Sequence, residues 1–227
     1  MLRIGYLGLG AMGGALSAHL AKVFDLTVFD RSSEAMAPLV ALGAKAAGSP
    51  AELARSCDVI ILCLPRTSDV QDALFAQGGL AEGLAAGKLL IDQTSGVPEQ
   101  TKAIAEKLAS MSVSMLDAPV SGGIPAAQSG TVTIIASGPD DAWAIAEPVL
   151  AAMTKNVFRC SDRVGDGQAL KLVNNAIGAG YRMATLELVA LGCKLGLELS
   201  DLVDALNAGQ AANFTSRNML AGLAWGP

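Results

Sequence analysis

The sequence predicts an α/β protein: a doubly wound, mostly parallel sheet that gives way near residue 164 to helices alone. Three observations predict it. Short apolar runs at 3–7, 26–29, 58–64, 88–91 and 112–116 alternate with Ala-rich segments of helical spacing at 12–23, 33–42, 50–56, 69–75 and 98–110. The runs show no polar face, so both faces are covered, as in parallel sheets built from repeated βα units. Beyond residue 167 the strand signal disappears, and Leu170, Val173, Ile177, Tyr181, Ala184, Leu188 and Leu191 mark one stripe of a single long helix.

The first strand runs directly into Gly8-Leu9-Gly10-Ala11-Met12-Gly13, which opens the first helix. Gly8 allows a tight turn, Gly10 lets a pyrophosphate approach the backbone, and Gly13 permits close packing of helix on strand. The free N–H groups of the helix start complement phosphate charge. The second strand ends at Asp30, 22 residues after Gly8. A carboxylate there accepts hydrogen bonds from an adenosine ribose and repels a 2′-phosphate, which favours NAD over NADP. Arg31 leaves two readings open: a group that stacks on adenine or attracts a phosphate, and a solvated surface side chain. Leu64-Pro65 ends the fourth strand and Asp92-Gln93-Thr94-Ser95 the fifth, which brings both segments to the carboxyl edge of the sheet, where ligands of such folds bind. A strand at 132–136 and a helix at 140–153 extend the layer. The long helix is expected to end at Gly192 or Gly196, with shorter helices from Ser200, as N-cap, to Ala208 and again after Asn213. The expected division is a Rossmann-type dinucleotide-binding domain over 1–163 and the start of an all-helical domain over 164–227.

Composition narrows the classes. The 227 residues are 52% hydrophobic, enough for a sizeable core without staples. Only 16% are charged, the net charge is −5 and Lys and Arg do not cluster, which argues against a nucleic-acid partner and against disorder. The longest strictly apolar run, 59–64, falls far short of the ~20 residues that cross a bilayer. Glycines at 5, 8, 10, 13 and 14 interrupt what would otherwise read as a signal segment, so the expectation is a cytoplasmic protein without a membrane partner. Cys57, Cys63, Cys160 and Cys193 lack metal or redox spacing and read as small buried side chains in a reducing compartment, with no metal site. His19, the single histidine, reads as a surface or interhelical residue.

Two further segments bear on chemistry. Ser121-Gly122-Gly123 offers a hydroxyl and backbone N–H groups suited to a carboxylate, or is an ordinary turn after Pro119. Lys171 and Asn175 are four residues apart and project from one helix face. Lys171 sits among Leu170, Leu172 and Val173; partial desolvation there lowers an ammonium pKa toward the range useful for proton transfer, while a snorkelling surface lysine is the alternative.

Together with the glycine loop, Asp117-Ala118-Pro119-Val120-Ser121-Gly122-Gly123 and Gly165-Asp166-Gly167-Gln168-Ala169-Leu170-Lys171-Leu172-Val173-Asn174-Asn175 resemble the three signature motifs of the β-hydroxyacid dehydrogenases. This is the family of 3-hydroxyisobutyrate dehydrogenase, tartronate semialdehyde reductase and the glyoxylate/succinic semialdehyde reductases. The resemblance spans nearly the whole chain. It implies NAD(P)-dependent hydride transfer between a small β-hydroxy acid and its semialdehyde. Ser121, Gly122 and Gly123 would hold the substrate carboxylate, Lys171 would act as general acid/base, and Asn175 would orient the substrate oxygen. Asn174, roughly 100° round the helix, would be a secondary substrate contact. The glycine loop, Asp30, Arg31, Leu64, Pro65 and Ser95 would hold the cofactor. Ser95 stands where the family's Asp-x-Ser-Thr pattern has threonine. Imine reductases of this architecture usually carry Asp or Tyr in place of Lys171, and 6-phosphogluconate dehydrogenases carry Lys-x-x-His-Asn where this chain has Lys171, Asn174 and Asn175. Family members continue for several helices beyond the region matching 213–227: either the sequence is a fragment, or the apolar stripe of the long helix needs a partner subunit to cover it, and a homodimer or homotetramer is the expectation. Two alternatives stay open: an NADPH-dependent reductase of glyoxylate or succinic semialdehyde, and a non-catalytic, truncated dinucleotide-binding module.

Overall fold

The structure, a computed structural model, describes residues 2–225. Its strands are β1 (Arg3–Leu7), β2 (Asp25–Phe29), β3 (Lys45–Ala46), β4 (Val59–Leu62), β5 (Leu89–Asp92), β6 (Ser114–Asp117), β7 (Val120–Ser121), β8 (Thr133–Ser137) and β9 (Asn156–Ser161). Its helices are α1 (Ala11–Leu20), α2 (Ser33–Ala41), α3 (Pro50–Ser56), α4 (Thr67–Phe75), α5 (Pro98–Ala109), α6 (Gly123–Ser129), α7 (Asp140–Ala151), α8 (Asp166–Lys194) and α9 (Leu199–Ala208), followed by a π turn at Thr215–Leu220 and α10 (Ala221–Trp225). The chain divides into two compact units, Met1–Lys171 and Leu172–Pro227.

In the first unit the strand order is β3-β2-β1-β4-β5-β6-β8-β7, with β9 beside β8. The first six of these are parallel, the doubly wound order of a dinucleotide-binding sheet. Register decides where ligands go. Leu7 pairs with Phe29 and Leu62, Leu62 with Asp92, and Asp92 with Asp117, so five strands end level at one carboxyl edge. The strand order reverses between β1 and β4, the switch point at which dinucleotides bind in such sheets. Two hydrophobic clusters flank the sheet. One gathers Ile4, Tyr6, Leu16, Val28 and Ile61 with the α1 and α7 side; the other gathers Leu53, Ile60, Leu62, Leu74, Leu90 and Ile104. Alternate residues of β4 feed opposite clusters, which is why that strand reads as an unbroken apolar run.

The strands β3, β7 and β9 are additions to the sequence reading. β3 and β7 have two residues each, too short for a pattern, and β9 is half-exposed, with Arg159 and Cys160 in its run. β7 and β6 pair antiparallel with β8. His19 is interhelical as expected: its Nε2 lies 2.9 Å from the Ala127 carbonyl oxygen of α6, which makes Nε2 the protonated ring nitrogen.

In the second unit, Val189 of α8, Val203 of α9 and Leu220 form a small core with Leu199, Leu202 and Leu206. Gly192 allows this packing, since a Cβ there would lie 2.9 Å from Leu202 Cδ1. Ser200 is inside α9, whose N-cap is Glu198, which corrects the expected cap. The apolar stripe of α8 is exposed at Val173, Ile177, Tyr181, Leu188 and Leu191. Burial of the cysteines holds for Cys57; Cys63 and Cys160 are half-buried, and Cys193, near the C-terminal end of α8, is exposed.

Candidate active site

The glycine loop connects β1 to α1 and its three glycines differ in what surrounds them. Gly8 has φ +94°, and a Cβ there would lie 2.3 Å from the Cys63 carbonyl oxygen; at Gly13 it would lie 1.9 Å from the Gly8 carbonyl oxygen. Both positions therefore exclude side chains for packing reasons. Gly10 is the opposite case: nothing lies within 4 Å of a Cβ placed there, and the residue is exposed at the start of α1. This open cradle in front of a helix N-terminus fits a pyrophosphate. Leu9 is buried, Met12 half-buried and Ala11 exposed.

Asp30, just past β2, is half-buried. Its Oδ2 accepts from the Leu9 N–H at 2.7 Å and its Oδ1 from the Ser32 N–H at 2.9 Å. The carboxylate thus shapes the loop, and each oxygen keeps a lone pair for a ribose hydroxyl. Arg31 is exposed. The residues present fit a dinucleotide.

The next two strand ends are tied together. The Leu64 N–H donates to Thr94 Oγ1 at 3.0 Å, and the Thr94 N–H donates to Asp92 Oδ1 at 2.9 Å. Pro65 and Ser95 are exposed at this edge, whereas Asp92, Gln93 and Thr94 are buried. Thr94 therefore takes the structural role and Ser95 faces solvent. Asp92 Oδ2 has no hydrogen-bond partner among the described residues, and burial, reinforced by the Asp117 charge, pushes the Asp92 carboxyl up to about 7. Its folded pKa is above its unfolded one, so the stability it contributes is complete below pH ~4 and disappears as pH rises through about 7. Asp92→Asn is expected to be more stable than wild type by a margin that widens by up to about 4 kcal/mol between pH 4 and 8. Urea denaturation at both pH values checks it; a margin independent of pH would show that Asp92 ionises in the folded state as readily as in the unfolded one.

The start of α8 is anchored by a second acidic group. Asp117 is buried at the end of β6. Its Oδ1 accepts from the Gly165 N–H at 2.7 Å and from Ser137 Oγ at 2.6 Å, and its Oδ2 accepts from the Gln168 N–H at 2.7 Å. The Gly167 N–H donates to Ser137 Oγ at 2.8 Å. A Cβ on Gly167 would lie 2.8 Å from Asp117 Oδ2, so glycine is what lets the helix come this close. Burial raises the Asp117 pKa, against the hydrogen bonds that favour its charge.

Lys171 follows one turn later. It is only 8% exposed while its neighbours Leu170 and Leu172 are exposed, so it shares the buried face of Gly167 and Gln168. Burial holds its ammonium below the usual lysine range. A neutral amine is therefore more accessible here than on a surface lysine. Asn174 and Asn175 lie further along α8 in the second unit and are exposed. Ser121 ends β7, paired with Thr133 of β8; Gly122 and Gly123 follow with φ +136° and +78°, conformations that favour glycine. These three are placed by the β7–β8 pairing and the start of α6.

Sequence reasoning passed over Asp92, Thr94, Asp117 and Gln168 as site residues. Asp92 and Asp117 close β5 and β6, and Thr94 lies two residues past β5; a polar residue directly after an apolar strand run was the available signal.

Residues 3–161 match the family model described as the NAD binding domain of 6-phosphogluconate dehydrogenase, and residues 165–224 the one described as NAD-binding of NADP-dependent 3-hydroxyisobutyrate dehydrogenase. The 3-hydroxyisobutyrate dehydrogenase of Pseudomonas aeruginosa is 36% identical over 94% of this chain and 72% of its own length. The chain belongs to the β-hydroxyacid dehydrogenase family. Within the family, the L-threonate dehydrogenase of Cupriavidus necator is 34% identical over 94% of this chain and 73% of its own length. Among solved structures, the 3-hydroxyisobutyrate dehydrogenase of Salmonella typhimurium superposes with a TM-score of 0.86 at 30% identity, covering 99% of this chain and 79% of that one. The fold class and the nicotinamide dinucleotide cofactor read from the sequence are those of the family.

Proposed function

We propose that this chain catalyses NAD(P)-dependent oxidation of a small β-hydroxy acid to its semialdehyde, or the reverse reduction, with NAD the preferred cofactor. One observation carries the reading: Lys171 is buried and deprived of solvation on the first turns of a helix that Asp117 and Gln168 fasten to the ends of β6 and β5. A non-catalytic dinucleotide-binding module has no need of a desolvated lysine there. When bound, the nicotinamide supplies or accepts the hydride. In oxidation, the neutral Lys171 amine takes the hydroxyl proton at Nζ; in reduction, the ammonium returns it to the carbonyl oxygen. Ser121, Gly122 and Gly123 hold the substrate carboxylate, Asn175 orients the substrate oxygen and Asn174 assists. Gly8 to Gly13, Asp30, Arg31, Leu64, Pro65 and Ser95 hold the cofactor. The dinucleotide-binding domain is assigned to 1–163, and 164–227 begins the helical domain.

A homodimer or homotetramer is part of the same reading, supported by the exposed stripe on α8. So is a cytoplasmic setting, supported by four free thiols. No helix among the described residues is long and apolar enough to cross a membrane.

The test is initial rates with NAD and NADP against 3-hydroxyisobutyrate, serine, L-threonate, 3-hydroxypropionate, glycerate and 4-hydroxybutyrate. Turnover of at least one β-hydroxy acid, faster with NAD, is expected. Asp30→Ala should weaken NAD about 10-fold or more, by removing a charge-assisted bond worth ~1.5–3 kcal/mol, and NADP much less. Equal losses for the two cofactors would show that Asp30 only shapes the loop.

A further inference from the structure

Gln168 is 1% exposed, yet each polar group of its side chain is used, and both on one loop. Its Nε2 donates to the Thr94 carbonyl at 2.6 Å, and its Oε1 accepts from the Gly96 N–H at 2.8 Å. The residue between those two anchor points is Ser95, exposed at the sheet edge. Thr94 is also the residue whose Oγ1 accepts from Leu64 N–H. The Gln168 backbone N–H meanwhile donates to Asp117. The Gln168 side chain thus joins the loop after β5 to the first turn of α8, its backbone joins the end of β6, and Thr94 extends the link to the end of β4; Lys171 lies three residues further on the same buried face.

The chemistry of the side chain is specific to this task. A loop held at two points one residue apart presents one carbonyl and one N–H, and a carboxamide is the side chain that offers a donor and an acceptor together. Leucine would fill the volume and take the carboxamide away from the buried Thr94 carbonyl, at a cost of about 1–3 kcal/mol, and from the half-buried Gly96 N–H. The Gln168 backbone N–H already ties α8 to Asp117, and the side chain adds a tie that fixes the 94–96 loop as well as the helix.

We propose that Gln168 is a positioning residue of the hydride-transfer site: its two-point clamp on Thr94 and Gly96 sets the Ser95 loop at a fixed place relative to Lys171. The proposal rests on the reading under Proposed function. Displacing a reacting group by about 1 Å costs about 100-fold in rate, so the clamp acts on turnover more than on binding.

Gln168→Glu and Gln168→Leu test it. A protonated glutamic acid repeats the glutamine pattern, its O–H donating to Thr94 and its C=O accepting from Gly96. The ionised form has no donor and sets a negative charge against the Thr94 carbonyl. The kcat of the Glu variant, divided by that of wild type at each pH, should rise about 10-fold or more from pH 9 to pH 6. The Leu variant should lose about 10–100-fold in kcat at every pH, with NADH affinity and KM for the hydroxy acid within about threefold of wild type. Amide hydrogen exchange at Gly96, measured without cofactor, is the second readout: protection relative to wild type should fall in the Leu variant and return in the Glu variant at low pH. A flat Glu-to-wild-type ratio, or unchanged Gly96 protection in both variants, overturns the proposal. Where the Leu variant does not fold, the Glu ratio decides alone. A wild type that turns over none of the hydroxy acids overturns the underlying reading and the positioning role with it, while Gly96 exchange still reports whether the clamp exists.

Discussion

Lys171→Met is expected to lower kcat by about 10²–10⁴-fold while NADH binds as in wild type, the range by which a positioned acid or base accelerates proton transfer. Methionine keeps the stem volume and removes only the amine, so packing around a residue that is 8% exposed changes little. Lys171→Arg sharpens the test. It retains a cation but releases no proton at accessible pH, and it should be as inactive as the Met variant. An Arg variant with near-wild-type turnover would mean that Lys171 supplies charge alone. The pH dependence has a definite sign. Oxidation needs the neutral amine, and burial moves the amine's pKa down from 10.5, so the oxidation rate should rise with pH through that lowered value. That limb should be absent in both variants. Initial rates from pH 6 to 10 together with NADH fluorescence titration measure all of it.

Lys171 stood out through the 165–175 motif that resembles the β-hydroxyacid dehydrogenases; its leucine neighbours alone fit a snorkelling surface lysine as well. The glycine loop was legible for a similar reason. Three glycines at fixed spacing follow an apolar run: the packing distances at Gly8 and Gly13 show what a side chain would strike, and Gly10 leaves the space in front of the helix open. The parallel half of the sheet was legible because each of its longer strands is covered on both faces. Its far side was not, because β7 is two residues long and β9 is half-exposed, so neither imposes a hydrophobic pattern. Inside the site, sequence spacing names the residues that reach outward and misses those that hold them. Ser95 stood out as a hydroxyl in a familiar place, while the buried neighbour Thr94 carries the bonds to Leu64 and Gln168. Partnerships such as Asp117 with Gly165 and Gln168 join residues about fifty positions apart, and no local pattern records them.

That last partnership carries the second large expectation. Asp117→Ala should destabilise the protein by about 3–5 kcal/mol, because the N–H groups of Gly165 and Gln168 and the Ser137 hydroxyl lose a buried anionic acceptor together. For a chain of this length that corresponds to a fall in melting temperature of about 10 °C. Turnover should fall by about 100-fold or more in the fraction that remains folded, since the first turn of α8 loses its fixed point one turn before Lys171. NADH affinity should change by less than about threefold: a phosphate-binding loop draws on its own backbone N–H groups, and the loop at β1 is separated from β6 by β4 and β5. Calorimetry, steady-state kinetics and NADH titration on one preparation distinguish the outcomes. An unchanged melting temperature would show that α8 is anchored elsewhere. An NADH affinity that falls as far as turnover would show that Asp117 supports the whole sheet edge, so that Lys171 would lose its claim to a separately positioned proton.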